Sequence, residues 1–212
     1  MFLYCIRHGE STYNVEGRLQ GQSDLPRLSP LGIRQSEAVA AALAKLPVDA
    51  IYASPLRRAM ETAEVIAGAL GLAIRVEPRL KEIDIGIFQD KLRGELEVLY
   101  PNDLGQWLSG DPDFAIPGGE SRRQLARRGR EALETIARAG YRHAAVVAHG
   151  GVLVAGIKAL LGIPLREPPL ALENGSITTL LFDDQGRVEL VALDQVDHLE
   201  GVGHGGMGDL VV

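Results

Sequence analysis

Five histidines occur in the chain, His8, His143, His149, His198 and His204. Two of them, His8 and His149, each close a short apolar run and precede glycine, in Ile6-Arg7-His8-Gly9 and Val147-Ala148-His149-Gly150-Gly151. Imidazole has an ordinary pKa of about 6.5, so a neutral nitrogen is at hand near neutrality as nucleophile or base. Arg7 adds a permanent cation whose forked donors suit phosphate. Glycine after each histidine lets the backbone come close to a ligand. Behind His149 the chain enters a helix N-terminus, where free N–H groups and the helix dipole favour an anion. A lone histidine at a strand end is more often structural, and a single Arg-His-Gly tripeptide is a weak signal. Two such ends, one beside an arginine, favour a phosphate site.

The elements that must position these residues follow from the apolar pattern. Residues 2–6, 50–53 and 73–76 read as short strands, and the continuous small apolar run 144–148 suits a strand covered on both faces. Two more strands, near 176–182 and 187–193, flank a hairpin-like turn at 183–186. Ser29-Pro30 opens a helix with Ala38, Val39, Ala42, Leu43 and Leu46 on one side, and Pro47 stops it. Ser54-Pro55 predicts the same start for a second helix, ended by Gly68 or Gly71. Leu125, Gly129, Leu133 and Ile136 recur at helical spacing within 121–138, and a further helix fits 152–161. The alternation predicts an α/β fold, a three-layer α/β/α sandwich with a mostly parallel central sheet. In such open sheets ligands bind outside the carboxyl ends of the strands, where both histidines fall.

Residues 1–200 read as one domain. A short covering insertion near 86–120 carries Phe88, Tyr100, Trp107 and Phe114 among glycines and prolines, and those side chains are expected to set the substrate. Residues 201–212 read as a glycine-rich, mobile tail. The chain has 212 residues, with 22 Lys+Arg against 28 Asp+Glu and a formal charge of −6, which argues against a nucleic-acid partner held by bulk electrostatics. No apolar run approaches the roughly 18–20 residues of a membrane span, and the stretch 1–6 is too short for a signal peptide. The single cysteine, Cys5, excludes a disulfide framework and a Cys-rich zinc site, and it reads as packing. These features point to the cytoplasm. No metal site is evident, since the carboxylates are scattered and no His-Glu-x-x-His occurs. Arg122, Arg123, Arg127, Arg128 and Arg130 read as a solvated helix face, and His143 as a surface residue before its strand.

Arg7-His8-Gly9-Glu10-Ser11, with Asn14, Arg18 and Gln20-Gly21 beyond it, resembles the signature of the histidine phosphatase superfamily, in its phosphoglycerate mutase-like branch. The likeness continues in order through Ser54-Pro55-Leu56-Arg57-Arg58-Ala59, the segment 80–86, Pro117-Gly118-Gly119-Glu120-Ser121, His149-Gly150-Gly151-Val152 and Leu172-Glu173-Asn174-Gly175-Ser176. It spans about residues 2–198. One departure is Phe88-Gln89-Asp90, where the family suggests something like Trp-Glu-Gly.

The resemblance implies a catalytic set of His8, Glu82, His149, Arg7 and Arg58. His8 would be the nucleophile that forms a phosphohistidine, with its other nitrogen held by a backbone carbonyl. Arg7, Arg58 and protonated His149 would surround the phosphoryl oxygens, and Glu82, its pKa raised by the phosphate, would serve as general acid and then base. Asn14, Gln20, Gly21 and the Gly150 N–H would contact substrate. Neither metal nor cofactor is required. Arg57 competes with Arg58 for the cationic role. The implied activity is a metal-independent phosphomonoester hydrolase acting on a small-molecule phosphomonoester, and a homodimer is compatible with it. Family mutases usually carry a longer insertion, so this length leans away from the alternative of a cofactor-dependent phosphoglycerate mutase. A non-catalytic protein that binds phosphorylated ligands is the further alternative.

Overall fold

The structure, a computed structural model, describes residues 1–166 and 170–203. Its strands are β1 (Phe2–Arg7), β2 (Ala50–Ala53), β3 (Ile74–Val76), β4 (His143–Ala148), β5 (Ile177–Phe182) and β6 (Val188–Gln195). They form one sheet in the order β3-β2-β4-β1-β5-β6. The first four in that order run parallel, and β5 and β6 close one edge antiparallel.

Alternation along the central strands divides the core in two. Leu3 and Cys5 of β1 with Ala144, Val146 and Ala148 of β4 face one apolar cluster, while Tyr4, Ile6, Ala145 and Val147 face the other. Helices α2 (Pro30–Leu43) and α3 (Arg57–Leu70) cover the second face; α6 (Arg122–Ala137) and α7 (Gly150–Leu161) cover the first. This is why 144–148 is apolar at every position. The buried Cys5 thiol is pushed up to about 12 by desolvation, in keeping with packing. Helices α6 and α7 cross at paired glycines: a Cβ at Gly129 would lie 2.9 Å from the Val152 carbonyl oxygen, and one at Gly156 2.9 Å from the Gly129 carbonyl carbon.

Some local expectations give way to tertiary ones. Helix α2 ends at Leu43 rather than reaching Leu46, and α3 starts at Arg57, with Leu56 and not Ser54 in the capping position. The 86–120 segment folds into a 3₁₀ turn (Gly86–Phe88) and the helices α4 (Arg93–Leu99) and α5 (Pro101–Leu108). Of its aromatic residues, Phe88 and Trp107 are fully buried in the first cluster, and Tyr100 and Phe114, half-buried, pack against it. They tie the segment down, because large rings lower the free energy most where water is fully excluded.

The solvated basic face holds for Arg123, Arg127 and Arg130 only. Arg122 is buried with its guanidinium 3.6 Å from the Trp107 ring centre, and Arg128 is turned inward onto Glu120. His143 is the first residue of β4, its ring stacked on Phe2 and its Nδ1 3.1 Å from the Tyr4 hydroxyl. From residue 204 the expected glycine-rich tail, with His204, lies outside the described residues. Among the described residues no helix is long and apolar enough to cross a membrane.

Candidate active site

Register brings the two histidines together. Arg7 pairs with Ala148 at the in-register ends of the parallel strands β1 and β4, so the next residue of each is His8 and His149. The His8 N–H donates to the Ala148 carbonyl at 3.0 Å, and the two rings lie 5.1 Å apart at 62°. A third strand end joins them: Ser54, just past β2, donates its N–H to Val147, and its Oγ lies 2.8 Å from His149 Nε2.

His8 is held at both nitrogens. Nδ1 lies 2.7 Å from the Gly9 carbonyl, and Nε2 lies 3.2 Å from Arg58 Nε. Arginine Nε can only donate, so Nε2 carries the lone pair and Nδ1 carries the proton that goes to Gly9. Arg58 is fixed in turn, since Nη1 donates to Ser23 at 3.0 Å and Nη2 to Gly21 at 2.9 Å. Of the two competing arginines, Arg58 is therefore the one inside; Arg57 is exposed, with its backbone N–H on Asp24. The turn after His8 is held by Thr62, which accepts the Gly9 N–H at 3.1 Å. It presses on the start of α2 so closely that a Cβ at Gly9 would lie 2.3 Å from the Gly32 oxygen.

His149 is wired differently. The Ser54 hydroxyl accepts the Leu56 N–H at 3.3 Å and lies 2.8 Å from His149 Nε2. His149 Nδ1 is buried with no hydrogen-bond partner among the described residues. Burial holds the pKa of this imidazole well below its ordinary value, and the nearby cationic Arg58, Arg128 and Arg7 push it the same way. In the absence of a bound anion, the protein's own surroundings thus disfavour the charged form of His149.

The helix N-terminus behind His149 also differs from expectation. The amides of Gly151 and Val152 donate to the Glu82 carboxylate, at 2.9 and 3.0 Å, and the Ile83 N–H joins them at 2.7 Å. An anion does sit there, but it is the protein's own carboxylate. Glu82 is thereby held beside His149 although 67 residues separate them in sequence.

Arg7 is buried and donates to the Leu172 carbonyl, and a Cβ at Gly150 would lie 3.5 Å from Arg7 Nε. Asn14 sits in α1 (Thr12–Glu16) under a reciprocal cap with Ser11, and its buried Nδ2 has no hydrogen-bond partner among the described residues. Gln20 accepts the Ser11 hydroxyl at 2.8 Å. Gly21 contributes its carbonyl to Arg58 and has φ +47°, with Ile85 filling the space a side chain would need. Sequence reasoning missed Ser54 as a partner of His149, and missed Asn174, whose Nδ2 donates to the His8 carbonyl at 3.0 Å. The position of Ser54 immediately after a strand, like both histidines, was the available signal. Among the described residues no cluster of three or more His, Cys, Asp or Glu side chains is arranged for a metal ion.

Two imidazoles at adjacent strand ends, buried arginines and a carboxylate on a helix N-terminus define a phosphate-type centre, and residues 3–195 match the model of the histidine phosphatase superfamily (branch 1). The chain belongs to that superfamily and is an enzyme of the histidine phosphatase type. It is similar to a phosphoserine phosphatase candidate of Hydrogenobacter thermophilus, 34% identical over 197 residues that cover 92% of this chain and 96% of the relative. The phosphoglycerate mutase candidate GpmB of Proteus mirabilis is 36% identical over 184 residues, 86% of this chain and 85% of that one. The solved structure of mycobacterial glucosyl-3-phosphoglycerate phosphatase superposes with a TM-score of 0.83 at 32% identity, over 92% of this chain and 99% of that one.

Proposed function

We propose that this enzyme hydrolyses a small phosphorylated metabolite through a phosphohistidine on His8 Nε2, with no metal ion in the reaction. The observation that carries the reading is the wiring of His8: its proton is committed to Gly9 and its lone pair faces Arg58, beside a second imidazole 5.1 Å away. A nucleophile so oriented needs no further base.

In the first step Nε2 forms a bond to phosphorus as the bond to the leaving oxygen breaks, and Glu82, protonated when the phosphate dianion binds because like charges disfavour its ionised form, supplies the proton that oxygen needs. Arg58, displaced from Nε2, turns its donors to the phosphoryl oxygens together with Arg7, the Asn14 amide and the Gly150 N–H. Once the dianion's charge brings a second proton onto the His149 ring, its Nδ1–H is a further donor. In the second step water attacks phosphorus, Glu82 takes its proton, the N–P bond breaks and His8 returns neutral. The likeness to two phosphatases supports hydrolysis; the likeness to GpmB supports a mutase, which differs in keeping water from the phosphohistidine.

The test is a screen of phosphate release over a panel of phosphomonoesters, with His8→Ala as blank and EDTA in a parallel arm. Turnover that needs His8, persists in EDTA and accompanies an acid-labile phosphoenzyme is expected. Activity lost in EDTA and restored by a divalent ion overturns the metal-free route. Isomerisation of 3-phosphoglycerate that outruns phosphate release overturns the hydrolase reading in favour of the mutase.

A further inference from the structure

We infer that Arg128, locked to Glu120, is a positioning residue that sets where the Glu82 carboxylate stands; this rests on the reading of Glu82 as the proton donor. Every donor of the Arg128 guanidinium is used. Nη1 donates to the carbonyls of Arg79, at 2.7 Å, and of Lys81; Nη2 donates to the Glu82 carbonyl at 2.8 Å and to Glu120 Oε1; Nε donates to Glu120 Oε2 at 3.0 Å. Three of the five N–H groups thus hold the backbone of the segment that bears Glu82. The other two engage one carboxylate in the forked geometry only arginine offers.

Glu120 closes the clamp from the other side. Its Oε1 accepts the Asp84 N–H at 2.9 Å and its own N–H donates to the Asp84 carbonyl at 2.9 Å. The approach is tight enough that a Cβ at the neighbouring Gly119 would lie 2.3 Å from the Asp84 oxygen. Between the 3₁₀ turns at Pro78–Leu80 and Gly86–Phe88, the stretch around Glu82 has no regular structure to hold it. Its carbonyls point to Arg128, and its carboxylate points to the amides of Gly151 and Val152.

The clamp is referenced to the correct place. Arg128 is adjacent to Gly129, where α6 crosses α7, the helix that follows His149. Glu82 is therefore gripped twice by one rigid unit, at its main chain from α6 and at its carboxylate from α7. Both partners are largely enclosed, with side chains 19% and 16% exposed, so the pair is shielded from the screening that weakens surface ion pairs. A proton donor displaced by about 1 Å can lose on the order of a hundredfold in rate. An ion pair far from the reacting atoms can act on the rate in this way without touching substrate.

The experiment compares 4-nitrophenyl phosphate, whose leaving group scarcely needs a proton, with an alkyl phosphate, whose leaving group does. It uses Arg128→Ala, Arg128→Lys, Glu120→Gln and Glu82→Gln, each checked by thermal melting. Arg128→Ala and Arg128→Lys are expected to lose about tenfold or more in kcat on the alkyl ester while staying within about threefold on the nitrophenyl ester. Glu120→Gln, which keeps the carbonyl bonds to Arg128, follows in the same direction by less and serves if Arg128→Ala does not fold. Adding Arg128→Ala to Glu82→Gln should change alkyl turnover no further. Equal losses on both esters, or none, with a graded Glu82→Gln, overturn the positioning role alone. A Glu82→Gln enzyme that treats both esters alike overturns the reading of Glu82 itself.

Discussion

His8 and His149 occupy equivalent places, each one residue beyond a parallel strand and each followed by glycine, yet their surroundings differ in kind. His8 has both ring nitrogens engaged, one by a carbonyl and one by a guanidinium. His149 has one nitrogen on a hydroxyl and the other buried with no partner among the described residues. The first arrangement fixes a tautomer with a directed lone pair. The second leaves one nitrogen unspent on a ring whose charged form the surroundings disfavour. Position on the fold brought the two imidazoles together, and hydrogen-bond partners divided the roles between them.

The sharpest way to break that division is to remove each ring in turn. His8→Ala is expected to abolish turnover and phosphoenzyme labelling together, a loss of at least about a thousandfold, because a covalent route has no substitute for its nucleophile. His149→Gln should cost about a hundred- to a thousandfold in kcat, the scale of one lost oxyanion donor, while His8 still takes up label from an activated phosphoester. Labelling that vanishes in His149→Gln and survives in His8→Ala would reverse the assignment. Rapid quench with acid-labile phosphate counting decides it.

Much of this was readable in the chain because it follows short-range rules. A strand covered on both faces is apolar throughout, and ligands gather where parallel strands end, so the two central strands with Arg7, His8 and His149 could be placed from residues 2–8 and 144–151 alone. What escaped was decided by partners distant in sequence. Ser54 looks like an N-cap, and a histidine 95 residues away claims its hydroxyl. Arg122 and Arg128 sit on a helix with the periodicity of a solvated face, and Trp107 and Glu120 draw them inward. Phe88 and Trp107 read as side chains that set the substrate, yet both are buried in the core, because composition cannot tell a ring facing a ligand from one facing the core. Glu82 carries no local signal at all; only the motif around it singled it out.

Ser54 offers a finer probe of the comparison, since it touches His149 and not His8. Ser54→Ala removes one partner of a ring that must become charged when phosphate binds. A hydrogen bond to a charged group is worth roughly 1.5–3 kcal/mol, so about ten- to a hundredfold in kcat/KM is expected. Labelling at His8 should persist, and Ser54→Thr should restore part of the loss. If Ser54→Ala matches the wild type in steady-state assays, the hydroxyl does not orient His149 in the reaction.

The smallest effect concerns stability rather than rate, and its sign follows from the lowered pKa of His149. In the unfolded chain this imidazole takes up its proton near pH 6.5; in the folded protein burial, and then the cations Arg58, Arg128 and Arg7, delay that uptake to lower pH. Between those two points the unfolded state binds more protons, so stability is full above about pH 6.5 and declines as the pH falls toward the folded-state value. One such group contributes a slope of at most about 1.4 kcal/mol per pH unit. His149→Gln should flatten the decline between about pH 6.5 and 5.5 even though it lowers stability at neutral pH. Inorganic phosphate, by supplying the missing negative charge, should bind the wild type with net proton uptake and oppose the same decline. Denaturant melts at half-unit pH steps, with and without phosphate, read both effects. A pH slope unchanged by His149→Gln would mean that the ring is charged in the folded protein, and the contrast with His8 would then rest on hydrogen-bond partners alone.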